Sequence, residues 1–225
     1  MTGNRGMMRP FSQLRRAMVD SQLRTYDVNQ PRLVAAMETV ERERFLPVER
    51  RAVAYADQAV AVSPARRMPT PMVFARMVQA LDLAPGEQAL DVACGLGYSS
   101  AVLAAMGARV VALEDDAALA AAASERLRGA LGAGVVPVRV GPLPLGAPYD
   151  APFDAILVGG ALNAAPAGLF AQLRDGGRLV CVMGEGRSGR ITLFRRTGAH
   201  VSDATVLEAA APALPAFDPE PGFVF

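Results

Sequence analysis

Apolar residues near the start of the chain recur at helical spacing. Phe11, Leu14 and Met18 share one face, with Arg15 and Arg16 between them, which predicts a first helix. A second helix is predicted from Pro31, a favoured first-turn residue, with Leu33, Met37 and Val40 on one side. Phe45 to Thr70 holds no sustained period and is broken by Pro47, Pro64 and Pro69; a third helix follows Pro71, carrying Val73, Met77 and Leu81. From Gly86 the pattern changes. Short apolar runs suited to buried strands (Ala89–Ala93, Val110–Leu113, Val135–Val140, Phe153–Val158 and Arg178–Met183) alternate with helical stretches at Ser99–Met106, Ala117–Leu131 and Ala167–Leu173. That alternation predicts an α/β fold, a doubly wound, mostly parallel Rossmann-like sheet. Ile191–Arg195 and Ala204–Leu207, separated by a short turn at Thr197-Gly198, predict an antiparallel edge. The Ala/Pro-rich tail from Ala209 to Pro221 reads as a surface-hugging loop, with Phe223–Phe225 packed back. The division expected is a small helical N-terminal extension over residues 1–70 and one α/β unit over 71–225.

Composition fits this picture and narrows the chemistry. The 225 residues suffice for one α/β domain with an extension, and 52% apolar with 20% charged residues is globular. A net charge of +1 gives no electrostatic case for nucleic acid or an anionic membrane. No apolar run approaches the ~18 residues of a membrane span. The first residues hold arginines but no apolar core of a secretory signal, with the start left open among Met1, Met7 and Met8. Cys94 and Cys181 make no disulfide framework, so a cytoplasmic location is expected. All 23 basic residues are arginine, which excludes a standard P-loop and any Schiff-base enzyme. The single histidine, His200, lies in a turn-like segment and reads as a surface residue, so a histidine-based zinc site or Ser-His-Asp triad elsewhere is impossible.

The chemistry concentrates after the first long strand. Leu90-Asp91-Val92-Ala93-Cys94-Gly95-Leu96-Gly97-Tyr98 ends that strand in a glycine-rich turn and opens a helix, the place where open α/β sheets bind nucleotides. Absent β-carbons let the backbone approach a ligand, and the helix N-terminus offers free N–H groups. At the end of the next strand Glu114, followed by Asp115, can accept the two hydroxyls of an adenosine ribose. A dinucleotide fingerprint would need a third glycine where Ser100 stands, and an acid at position 91 would repel a pyrophosphate. S-adenosylmethionine carries a sulfonium and an ammonium, so Asp91 favours it as the cofactor. Cys94 reads as a small packing residue rather than a nucleophile. Arg66 and Arg67 form either a solvated pair or a bidentate carboxylate holder.

These residues resemble a known family. Leu90 to Ala104 is similar to the first motif of protein-L-isoaspartate O-methyltransferases, in which a tyrosine and an alanine-leucine helix follow the glycines. Met18-Val19, Gln22-Leu23, Pro31-Arg32-Leu33, Ala36-Met37 and Arg42-Glu43-Arg44-Phe45-Leu46-Pro47 resemble that family's N-terminal helices. Ala54-Tyr55-Ala56-Asp57, Ala151-Pro152-Phe153-Asp154-Ala155-Ile156 and Leu173-Arg174-Asp175-Gly176-Gly177-Arg178-Leu179-Val180 match further segments. The resemblance implies methyl transfer from S-adenosylmethionine to the α-carboxylate of isoaspartyl residues in damaged proteins or peptides. It also implies that residues 1–70 supply substrate-side loops and residues 71–225 bind the cofactor. The alternative is a cofactor-binding homologue with another acceptor or none. A carboxylate is already ionised at neutral pH, so the reaction needs no general base.

The implied cofactor residues are Asp91, Ala93, Cys94, Gly95, Gly97, Glu114, Asp115, Gly141, Pro142 and Leu143. Three positions depart from the family pattern. Ala93 stands where the loop usually begins with glycine, and Gly141-Pro142-Leu143 stands where Gly-Asp-Gly is usual. In the substrate loop Arg67-Met68-Pro69-Thr70-Pro71, Pro69 replaces the serine beside the substrate, leaving Thr70 as the catalytic candidate or as a helix N-cap. A proline there predicts weak methylation of isoaspartyl peptides beside good cofactor binding.

Overall fold

The computed structural model describes residues 10–184, 186 and 189–218; the expected packing of Phe223–Phe225 lies outside them. Helix α1 (Phe11–Met18) continues through a wider π turn at Val19–Leu23, and α2 spans Pro31–Thr39. Of the predicted faces, Met18, Leu33 and Met37 are inaccessible to solvent or nearly so, Leu14 and Val40 are half-buried and Phe11 is exposed; Leu23 is buried with them. The aperiodic stretch forms 3-10 turns and a minimal antiparallel ribbon of β1 (Val60–Ala61) and β2 (Arg67–Met68). Helix α3 (Pro71–Leu81) starts where Thr70 Oγ1 accepts from the Val73 N–H at 3.3 Å and proline fills the first turn. It ends at Asp82 in the left-handed conformation. Its buried face of Val73, Phe74, Met77, Val78 and Leu81 stabilises the fold by about 2 kcal/mol per side chain.

The main sheet holds β3 (Gln88–Val92), β4 (Arg109–Glu114), β5 (Val138–Val140), β6 (Phe153–Leu162), β7 (Leu173–Met183), β8 (Arg190–Thr197) and β9 (His200–Glu208). Their spatial order is β5-β4-β3-β6-β7-β8-β9. β3 to β7 run parallel, while β8 and β9 are antiparallel and close a hairpin in which Thr197 pairs with His200, an exposed residue. Helices α4 (Tyr98–Ala105) and α5 (Ala117–Leu131) pack with α1–α3 on one face. The other face is covered by α6 (Ala167–Phe170), short turns and the tail, around Leu143, Phe153, Leu169 and Phe217. No helix among the described residues is long and apolar enough to cross a membrane.

Several boundaries differ from the sequence expectation; β7 begins at Leu173 rather than Arg178 and β9 at His200 rather than Ala204. β6 continues past Val158 through Gly159-Gly160 to Leu162, because Ala161 and Leu162 rejoin β7 opposite Val182 and Met183 and the tail pairs on the other side: Ala161 N donates to Pro212 O and Leu214 N to Ala161 O. A side chain at position 160 would collide with Leu214, so the glycine permits that approach. The helix expected over Ala167–Leu173 stops at Phe170, since Leu173 already pairs with Phe153 in the sheet. β5 keeps only Val138–Val140 of the run from Val135, as the loop before it follows Gly132 and Gly134 with positive φ.

Candidate functional site

Successive strands leave β3 in one direction through β4 and β5, and β6 then returns on its other side. The carboxyl ends of β3 and β6 therefore form the topological switch point, where the glycine-rich loop lies. Between Val92 and α4 the chain turns through three left-handed residues, Ala93 (φ 62°), Gly95 (φ 57°) and Gly97 (φ 92°). A β-carbon at Gly97 would stand 2.9 Å from the Leu127 side chain of α5, so glycine is required there by both conformation and space. Ala93 holds its left-handed geometry at a cost of about 1 kcal/mol.

Asp91 sits on the central strand between Ala112 and Leu157 and is fully buried. Its Oδ2 accepts from Ser99 Oγ at 2.6 Å and from the Ser100 hydroxyl, both in the first turn of α4. Its Oδ1 has no hydrogen-bond partner. Burial pushes the carboxyl up to about 6, against the pull of the two serine hydroxyls. A buried carboxylate with one free oxygen beside a glycine loop suits a cationic ligand. The serines were missed as site residues; their spacing from Asp91 across a tight turn was the available signal.

Glu114, at the end of β4, is equally buried. Its Oε2 accepts from the Gly95 N–H at 2.8 Å, which ties the glycine loop to the neighbouring strand. Its Oε1 accepts from Arg66 Nη2 at 2.8 Å and from the Asp115 N–H at 3.2 Å. Burial raises the Glu114 pKa and Arg66 opposes it. Arg66 also reaches the partly exposed Asp115 at 2.6 Å. The pair expected at positions 66 and 67 is thus split: Arg66 is buried on two acids, while Arg67 is exposed and donates to Ala59 O. Gly141 N donates to Glu114 O at 3.1 Å, setting Gly141-Pro142-Leu143 beside the end of β4; Leu143 is buried in the opposite face of the sheet.

Met68 and Pro69 are buried against a cavity of about 30 Å³ that Arg66, Cys94, Gly95 and Tyr98 also line. That is room for a water molecule, not for a nucleoside, unless a side chain moves. The Thr70 hydroxyl caps α3 and Thr70 does not line the cavity. Cys94 is buried and burial drives its thiol pKa well up, so it packs rather than attacks. One more residue organises the loop. Arg42 is wholly buried and donates from Nε to Ala54 O (2.9 Å) and from Nη2 to Pro69 O (2.6 Å). Its guanidinium lies 4.8 Å from the centre of the Tyr98 ring, which packs with Phe45 and Phe74. The charge of Arg42 within an otherwise turn-like segment gave no warning of this burial.

A seven-stranded sheet in this order, with Asp91 before the glycine loop and Glu114 ending the next strand, defines a protein of the S-adenosylmethionine-dependent methyltransferase class. The family model described as Protein-L-isoaspartate(D-aspartate) O-methyltransferase (PCMT) matches residues 13–211. A protein-L-isoaspartate O-methyltransferase of Methylorubrum populi is 46% identical over 183 residues, covering 81% of this chain and 84% of that one. One of Roseiflexus castenholzii is 42% identical over 189 residues, covering 84% and 85%. Among solved structures, a protein-L-isoaspartate O-methyltransferase superposes with a TM-score of 0.75 at 22% identity, covering 91% of this chain and 66% of that one. A Plasmodium falciparum structure described by the same name, in complex with S-adenosyl-L-homocysteine, gives a TM-score of 0.75 at 18% identity, covering 92% and 98%. The chain belongs to the protein-L-isoaspartate O-methyltransferase family.

Proposed function

We propose that this protein methylates the α-carboxylate of isoaspartyl residues in damaged proteins, in the cytoplasm, using S-adenosylmethionine. The observation that carries the reading is Asp91, buried on the central strand with one oxygen fixed by Ser99 and Ser100 and the other free beside the glycine loop. The names of the relatives supply the acceptor class. S-adenosylmethionine, when bound, supplies an electrophilic methyl on a sulfonium, so that one C–S bond breaks, one O–C bond forms and S-adenosylhomocysteine leaves. Asp91 offers a negative charge to its cationic end, and Glu114 offers acceptor oxygens to its ribose. Gly95 and Gly97 let the backbone approach. The acceptor is ionised at neutral pH, so no side chain has to take a proton, and a site without lysine or histidine loses nothing. What remains is positioning and exclusion of water by the loop at Met68-Pro69, held in place by Arg42. In this reading residues 1–70 form the acceptor side and 71–225 the cofactor-binding unit.

The test is transfer of labelled methyl groups to a peptide carrying one isoaspartyl residue and to its aspartyl twin. Base-labile label on the isoaspartyl peptide alone is expected. Binding of S-adenosylhomocysteine without transfer to either peptide would overturn the acceptor, and binding of NAD without S-adenosylhomocysteine would overturn the cofactor.

A further inference from the structure

Arg66 raises a counting problem. Each carboxylate offers about four acceptor positions. At Glu114 three are already engaged, by Gly95 N, Asp115 N and Arg66 Nη2. Two ribose hydroxyls therefore do not fit beside the guanidinium; one of the present donors has to leave. The Gly95 and Asp115 N–H groups are backbone, fixed by the strand and the loop. Only Arg66 is free to swing.

Its swing is confined. The Arg66 backbone is pinned in a tight loop, with Val62 N and Ser63 N donating to its carbonyl and its own N–H donating to Ser63 Oγ. The side chain runs over Gly95, its Cγ 3.6 Å from where a β-carbon of residue 95 would lie. It already lines the cavity with Met68, Pro69, Cys94 and Tyr98. Its Nε is buried without a partner even while Nη2 holds two acids. Released from Glu114, the guanidinium keeps only the partly exposed Asp115, and once swung into that space away from both acids it needs another anion, since an unpaired buried charge is costly. The acceptor of the proposed reaction is an anion, and Pro69, which lines the same cavity, has neither hydroxyl nor N–H to offer. A planar guanidinium holds a carboxylate by two parallel bonds.

We propose that Arg66 is the receptor for the acceptor's carboxylate, parked on Glu114 in the cofactor-free protein and released when the cofactor's ribose takes Glu114. The inference rests on the function proposed above and extends it to the order of events: cofactor first, acceptor second.

Binding, rather than turnover, tests it. A fluorescent isoaspartyl peptide is titrated into the full chain with and without S-adenosylhomocysteine, and S-adenosylhomocysteine alone is titrated by calorimetry. The unmodified protein is expected to bind the peptide at least tenfold more tightly when S-adenosylhomocysteine is present. Arg66→Ala is expected to lose that dependence, binding the peptide weakly in both conditions, yet to bind S-adenosylhomocysteine several-fold more tightly because a competitor for Glu114 is gone. A merely structural arginine would weaken both. Arg66→Lys keeps the charge without the fork and is expected to fall between, which guards against a folding defect in the alanine variant. The inference is overturned if peptide affinity is the same with and without S-adenosylhomocysteine, if Arg66→Ala retains the peptide affinity of the unmodified protein, or if Arg66→Ala binds S-adenosylhomocysteine more weakly. Peptide binding of the expected pattern with no methyl transfer would leave Arg66 in its role and overturn only the proposed reaction.

Discussion

Asp91→Asn separates what the site does for the fold from what it does for the cofactor. The Asp91 carboxyl is displaced from an ordinary 3.8 to about 6 by burial. At ~1.4 kcal/mol per tenfold change in proton affinity, that displacement disfavours the folded state by about 3 kcal/mol at neutral pH. The sign follows from which state holds the proton. Between about pH 4 and pH 6 the folded protein keeps the proton that the unfolded chain has lost, so the Asp91 contribution to stability falls as pH rises through that window. Asparagine removes the charge and can still accept from Ser99 and Ser100, but it sets an amide N–H₂ where Oδ1 has no partner. An unsatisfied donor costs about 1–3 kcal/mol, leaving a net gain of roughly 1 kcal/mol, or ~2–4 °C in Tm. S-adenosylmethionine should lose a charge-assisted partner, about 2–3 kcal/mol or roughly 30- to 150-fold in Kd. Melting curves of both proteins from about pH 4.5 to pH 8, with calorimetric titration of S-adenosylmethionine, check both halves. The stability gap should open as pH rises, and in acid it should close and then reverse, because the amide cost remains when the Asp91 penalty has gone. An Asp91→Asn protein that is less stable at about pH 8, or that binds S-adenosylmethionine as before, would refute the reasoning.

Glu114→Ala should weaken S-adenosylhomocysteine binding by ~2–3 kcal/mol and lower Tm, since it leaves the buried Arg66 with Asp115 alone and frees the Gly95 N–H; Glu114→Gln should lose less, and equal calorimetric losses would count against the ribose role. Ala93→Gly relieves about 1–2 kcal/mol of left-handed strain against about 0.5–1 kcal/mol of added chain entropy, so Tm should hold or rise slightly; a clear drop in a thermal melt would show that the methyl group packs. Pro69→Ser keeps the carbonyl that Arg42 holds and adds a hydroxyl, so kcat/KM on isoaspartyl peptide should rise tenfold or more; an unchanged value would mean that the loop needs no donor at that position.

The parallel sheet was legible because strands buried on both faces read as unbroken apolar runs, and Asp91 inside such a run stood out as a charge with a purpose. β6 beyond Val158 was not legible. Gly159-Gly160 carries the signature of a turn, and non-local partners, the end of β7 and the tail some fifty residues later, make it a strand. Leu173 looked like the end of a helix because its pairing with Phe153 is non-local. The same distance effect hid the site's arginines. Arg66 sat in a polar doublet, and its partners Glu114 and Asp115 lie on another strand. Arg42 occurs among charged neighbours, Glu41, Glu43 and Arg44, yet it alone is completely enclosed, because the carbonyls of Ala54 and Pro69 converge on it.

That enclosure bears on how sequences of this kind can recombine. Arg42, Pro69 and Tyr98 come from three separate stretches, and each is fitted to the other two: a cation, the carbonyl it grips and the ring beneath it. A crossover between positions 42 and 69, joining the front of one homologue to the back of another, would split the set. Its hybrid would work only where both parents had settled on the same trio. Crossovers after Tyr98 leave the trio whole. Tolerated breakpoints in a shuffled gene library should therefore thin out between Arg42 and Tyr98 and be freer on either side, so that this stretch is inherited as a block.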